Sequence, residues 1–118
     1  MILHVTNDLM MSSTARSHAT SQGVEIVFAN SMKAAIEQLQ TGSYSLCLAD
    51  LQMQGIQKEE LAAAATEQKI ETIVYVQHVM VELLQQAKEI GFGTVMTRGQ
   101  FNKSLGQIIS DAKSAAGQ

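Results

Sequence analysis

The stretch Ser45-Leu46-Cys47-Leu48-Ala49-Asp50-Leu51-Gln52-Met53-Gln54-Gly55 decides the fold. Leu46 to Ala49 is a continuous apolar run, too short for a helix and without polar alternation. A strand buried on both faces reads this way. Asp50 then stands at the carboxyl end of that strand. Similar runs lie outward on both sides: Ile2 to Val5, Val24 to Ala29, Thr72 to Val76 and Thr94 to Thr97. Each is short and aliphatic or β-branched, as buried strands are.

Between these runs the period becomes helical. Met32, Ala35, Ile36 and Leu39 fall at i, i+3, i+4 and i+7, and Met80, Leu83, Leu84 and Ala87 repeat that spacing as a core stripe. Phe101, Leu105, Ile108, Ile109 and Ala112 mark one face of a last helix. The first helix, from about Leu9 to Gln22, has only the thin stripe Met11, Ala15 and Ala19. The third, about Lys58 to Gln68, is nearly all alanine on its buried side. Gly23, Gly42 and Gly91 follow helix ends, where a left-handed residue closes the last turn. Asn7 or Asp8 can cap the first helix, and Asn30 or Ser31 the second. Strand and helix therefore alternate five times along the chain. Short connections with right-handed crossovers then require a parallel sheet with helices on both faces. The expected fold is α/β and doubly wound. One domain spans residues 1–118, its core over 1–113, with a frayed tail from Ser114 to Gln118.

Composition narrows the function. Of the 118 residues 46% are apolar and 16% charged, which supports a packed core and excludes disorder as the main state. The net charge is −3 and the eight Lys and Arg are scattered, so no nucleic-acid footprint is expected of this domain. No apolar run approaches the roughly 20 residues of a membrane helix, and the start of the chain lacks the basic region of a signal peptide. A reduced, cytoplasmic setting is the expectation. The single Cys47 lies inside an apolar run and reads as an inert buried thiol. The three histidines sit on separate elements without metal spacing. His4 belongs to a central strand and reads as buried, neutral and hydrogen-bonded; His18 reads as solvent-facing and His78 as a loop residue.

In doubly wound sheets, ligands bind at the carboxyl ends of the strands. That rule selects Thr6, Asn7, Asp8, Asp50, Gln77, His78 and Arg98. The plainest reading of Asp50 is a salt bridge with Arg98 at the same edge of the sheet. Asn7 reads as a cap, whereas Asp8 could cap or bind metal.

The segment from Ser45 to Gly55 resembles the phosphoacceptor strand of response-regulator receiver domains, the CheY-like modules of two-component signalling. Asp50 falls on the acceptor aspartate and Gly55 on the glycine that closes the following turn, with Gln54 in place of a proline. The resemblance covers the whole chain: Ile2 to Val5 resembles the first strand, and Gly91 to Phe101 the run into the turn after the fifth. It implies a flavodoxin-like sheet of order 2-1-3-4-5. It also implies a site in which a carboxylate attacks phosphorus while a divalent ion, usually Mg²⁺, neutralises the phosphoryl oxygens.

The chain departs from that site at most positions. The acidic pair falls on Thr6 and Asn7, or on Asn7 and Asp8 with a shift of one residue. Gln77 stands at the Thr or Ser position, Arg98 at the lysine, Gly99 at the proline after it, and Val95 at the switch aromatic. Asp8 and Asp50 are weak metal ligands at best, and no resident cofactor is expected. The expected function is a pseudo-receiver, a non-enzymatic and phosphorylation-independent regulatory module that contacts a protein partner or a second copy. The resemblance points that contact to the fourth helix, fifth strand and fifth helix, where Val81 would be an apolar centre and Lys103 and Gln107 a polar rim. The alternative is a working receiver phosphorylated on Asp50 by a histidine kinase with Mg²⁺. A remote alternative, a small flavin-binding electron carrier, finds Ser12, Ser13 and Thr14 after the first strand but no glycine there for a phosphate.

Overall fold

The computed structural model describes residues 1–116. Its elements are β1 (Ile2–Val5), α1 (Leu9–Gln22), β2 (Ile26–Ala29), α2 (Met32–Thr41), β3 (Leu46–Asp50), α3 (Lys58–Glu67), β4 (Glu71–Val76), α4 (Val81–Ile90), β5 (Thr94–Thr97) and α5 (Arg98–Ala116). The strands form one parallel sheet in the order β2-β1-β3-β4-β5. The doubly wound α/β fold and its strand order are therefore those expected from the sequence.

The period of two within each strand divides the core into two layers. Leu3, Val5, Cys47, Ala49, Val74 and Val76 point to one face, where Leu39 of α2, Leu61 of α3 and Ala87 of α4 cover them. Ile2, Leu46, Leu48, Ile73 and Tyr75 point to the other, against Met11 and Ala15 of α1 and Phe101, Leu105 and Ile109 of α5. Burying one such side chain contributes about 1.5–3 kcal/mol, so the inner strands β1, β3 and β4 hold most of the stabilising area. Tyr75 and Phe101 stack with centroids 4.0 Å apart, and His4 meets both rings edge-on or tilted at under 6 Å. Cys47 is fully buried, and burial pushes its thiol up to about 12. An aromatic disulfide reagent should leave Cys47 unmodified in native protein and react once denaturant unfolds the chain; prompt labelling under native conditions would contradict this packing.

Several local expectations need correction. Gly42 is extended (φ −91°, ψ 163°), not left-handed like Gly23 and Gly91. Space demands glycine at position 42, because a Cβ there would run into the ring of Tyr44. Met80 lies outside the core stripe of α4; it precedes the first turn and is 41% exposed. His18 is half-buried, its ring 3.2 Å from the point where a Cβ on Gly106 would stand, so that glycine lets α1 and α5 approach. β2 starts at Ile26 rather than Val24, and β3 reaches Asp50, which pairs with Tyr75. α5 continues through Ser114 to Ala116, while residues 117 and 118 of the expected tail lie outside the described part.

Candidate functional site at the carboxyl edge of the sheet

β1 is followed by buried Thr6, whose Oγ1 accepts the Asp8 N–H at 3.0 Å. That bond turns the chain so that the Asp8 Oδ1 accepts the Met11 N–H at 3.0 Å and caps α1. Asp8, not exposed Asn7, is thus the cap. Ser31 caps α2 in the same manner, accepting the Ala34 N–H.

β3 delivers Asp50, which is 5% exposed. Its Oδ1 accepts the Gln52 N–H at 2.9 Å. Burial pushes this carboxyl above its usual value, and the Gln52 N–H offsets part of the rise. Gln52 then reaches across to the loop after β4. Its Oε1 accepts the Gln77 backbone N–H at 2.7 Å, and its Nε2 donates to the Gln77 Oε1 at 3.4 Å. Gln77 is therefore one half of an amide clasp that ties the loops after β3 and β4 together.

β5 passes into α5 without a loop. The Thr97 Oγ1 accepts the Gln100 N–H at 3.1 Å, and the Gln100 Oε1 accepts the Thr97 N–H at 2.9 Å. This reciprocal capping box makes Arg98 the first residue of a 19-residue helix. A cation there faces the positive end of the helix dipole. Two carboxylates offset that cost: Arg98 Nη2 donates to Asp8 Oδ2, and Nη1 donates to Asp50 Oδ2 at 3.4 Å. The guanidinium also lies 5.7 Å over the Tyr75 ring. The structure thus joins Asp8, Asp50 and Arg98 in one ion triad, with Thr6 and Gln77 at its margins.

Other expected positions lie apart. Val95 is half-buried on β5 opposite Val74 and packs into the layer under α4. Val81 is 69% exposed, Lys103 is exposed, and Gln107 is exposed and donates to Asp111. His78 faces solvent beside Gln77. His4 is fully buried behind the triad, its Nε2 2.8 Å from the Tyr75 hydroxyl and its Nδ1 without a hydrogen-bond partner. Burial, helped by the Arg98 charge, lowers His4 to about 3, so the imidazole is neutral at ordinary pH.

Mg²⁺ asks for near-octahedral oxygen ligands, with carboxylates carrying its charge. The two carboxylates at this edge both accept from one guanidinium. Among the described residues no group of three His, Cys, Asp or Glu could hold a metal ion. The residues as arranged do not fit a divalent ion. Asp50 as a nucleophile is similarly committed, with one oxygen held by Gln52 and the other by Arg98.

Sequence reasoning missed Gln52 and the capping box. Both had signals. Residues 52 and 77 each stand two places beyond the Asp50–Tyr75 register pair, and Thr97-Arg98-Gly99-Gln100 has the capping-box spacing.

No protein-family model and no curated protein sequence matches the chain. Solved structures do resemble it. NtrX from Brucella abortus superposes with a TM-score of 0.78 at 16% identity over 97% of this chain, which spans only 26% of that longer one. Chemotaxis response regulator CheY4 of Vibrio cholerae gives 0.78 at 15% identity, covering 94% of this chain and 96% of that one. The receiver domain of sensor histidine kinase PA1611 from Pseudomonas aeruginosa PAO1, with magnesium in its active-site cleft, gives 0.77 at 12% identity and covers 94% of each chain. At such identities the likeness is one of architecture, and by that measure the chain has the fold of the response-regulator receiver domains of two-component signalling.

Proposed function

We propose that this chain is a pseudo-receiver that regulates by protein contact and does not pass a phosphoryl group through Asp50. The observation that carries this reading is the Arg98 guanidinium bridging Asp8 and Asp50. A tethered cation takes the charge that a divalent ion would need, and a wide planar fork replaces a compact ammonium. The Gln52–Gln77 clasp supports the reading as well, because it ties up the amide at the position where a hydroxyl would meet a phosphoryl oxygen. The protein is not an enzyme on this reading, and a histidine kinase is a binding partner at most. A contact face on α4, β5 and α5, for a protein or a second copy, would draw on Val81, Lys103 and Gln107, each of which is exposed. No helix among the described residues is long and apolar enough to cross a membrane.

The test is intact-mass spectrometry after incubation with Mg²⁺ and a small phosphodonor such as acetyl phosphate. The expected spectrum is mostly unmodified protein. Stoichiometric acyl phosphate that disappears in Asp50→Asn would overturn the proposal and favour a working receiver.

A further inference from the structure

β2 is an outer strand of the sheet, with β1 on one side only. The Ile2 N–H donates to the Glu25 carbonyl and the Thr6 N–H to the Ala29 carbonyl, both at 3.0 Å. In a parallel ladder that phase turns the backbone groups of Glu25, Val27 and Ala29 toward β1. The N–H and C=O of Ile26 and Phe28 then point outward, to the open edge. Sheet edges are commonly blunted by lysine, proline or a bulge. Here Val24 to Asn30 carries Glu25 as its one charge, the chain has no proline, and the register runs unbroken from Ile26 to Ala29. Ile26, Val27 and Phe28 are only half-buried, although they are β-branched or aromatic. The other outer strand, β5, has threonine at both ends.

Antiparallel self-pairing about a two-fold axis through Val27 uses every outward group. Ile26 faces Phe28 of the second copy and exchanges both N–H···O bonds with it, and Phe28 does the same with Ile26 of the second copy. Ile26 and Phe28 belong to the layer under α1 and α5, and Val27 and Ala29 to the layer under α2. Ile26 therefore meets a phenyl ring on one face and Val27 meets its own copy on the other, pairs that stabilise a sheet. Charge agrees with this register. Glu25 shares the Val27 face by alternation and comes opposite Ala29 of the second copy, just before Ser31 caps α2. Its carboxylate is thus set toward the positive end of a helix and exposed Lys33 in the first turn, with Glu37 a turn further on. Arg16 lies over the Phe28 ring on the opposite face. The axis brings it toward its own copy, but it is exposed, so solvent and salt screen that repulsion. We propose that this chain forms a two-fold dimer in which the β2 edges pair antiparallel and join two five-stranded sheets into one. The α4, β5 and α5 face lies at the other end of the strand order and stays open to a different partner.

The test is sedimentation equilibrium of the full chain from micromolar to millimolar concentration, with amide hydrogen exchange measured at both ends of the range. A dimer is expected. Protection of the Ile26 and Phe28 amides should rise with concentration, whereas the Val27 and Ala29 amides, already bonded to β1, should be protected throughout. In a mixture of labelled and unlabelled protein, intermolecular NOEs should connect Ile26 with Phe28. Val27→Lys sets like charges opposite each other and should abolish the dimer. Because Val27 is half-buried, the exposed Glu25 supplies a second variant that leaves the core alone. Glu25→Lys should weaken the dimer about tenfold, and adding Lys33→Glu should restore it. A monomer across the whole range, exchange at Ile26 and Phe28 that ignores concentration, or a dimer whose intermolecular NOEs centre on Val81 and Lys103 would each overturn the proposal. So would a dimer as tight in Glu25→Lys as in wild type.

Discussion

Acidification from pH 7 to pH 4 should cost the fold about 3 kcal/mol through His4 alone, as the linkage between pKa and stability requires. His4 is fully buried, and its value falls from 6.5 to about 3 because the imidazolium would lose its hydration and face the Arg98 charge. A depressed folded-state value means that the native protein binds fewer protons than the unfolded chain. The stabilisation is fully present above pH 6.5 and is lost progressively down to about pH 3. Over that whole window it amounts to about 4–5 kcal/mol, a large part of the 5–15 kcal/mol typical of a domain. Asp50 acts in the opposite sense. Its raised carboxyl favours the protonated native state, so its contribution is present below the ordinary carboxylate value and is lost as pH rises through the raised one. Urea unfolding at several pH values separates the two groups. His4→Phe should flatten the slope between pH 6.5 and 4 whatever its effect on absolute stability. Asp50→Asn should steepen the loss on acidification. A wild-type slope no steeper than that of His4→Phe would mean that His4 is not held neutral.

The fold was legible because its signals are local and redundant. Leu46 to Ala49 could be read as a doubly buried strand from apolar continuity alone, and two of the three helix-ending glycines took the expected left-handed shape. Misreadings arose where a distant neighbour decides the matter. Gly42 answers to the Tyr44 ring rather than to its own φ, and His18 is covered by Gly106, which lies 88 places along the chain (106 − 18) on a different helix. The candidate site was legible as a set of positions, since topology alone puts Asp8, Asp50 and Arg98 at one edge. Its internal pairing was not. Asp8 could cap or bind metal on sequence grounds, and in the structure each oxygen has a separate duty, Oδ1 to the helix and Oδ2 to Arg98. The exposure of Leu9 was hidden for the opposite reason, because hydrophobicity in sequence suggests burial and only the packed helix shows which residues are left over.

Arg98→Ala should destabilise the protein by about 1–3 kcal/mol at neutral pH, the range for a charged hydrogen-bonding group removed from a partly enclosed site. The guanidinium is partly exposed, which keeps the figure below that of a fully buried pair. The loss arises mainly at Asp50, whose carboxylate would stay buried with only the Gln52 N–H to hold its charge. That carboxyl should then rise further, and Arg98→Ala should regain stability on mild acidification, the pH range in which Asp50 takes up its proton. Asp50→Asn removes the charge while keeping an oxygen for Gln52, so the double variant should be more stable than Arg98→Ala alone. The coupling energy of that cycle measures the pair directly, and additive effects would mean that the two residues do not interact. The same variant tests what the cation replaces. With Arg98 gone, Asp8 and Asp50 present two uncompensated carboxylates, and millimolar Mg²⁺ or Mn²⁺ should raise the unfolding temperature of Arg98→Ala by mass action on the native state. Wild type and Arg98→Ala/Asp50→Asn should not respond. Equal stabilisation of wild type by the ion would show that Arg98 leaves the carboxylates free, and the pseudo-receiver reading would lose its main support.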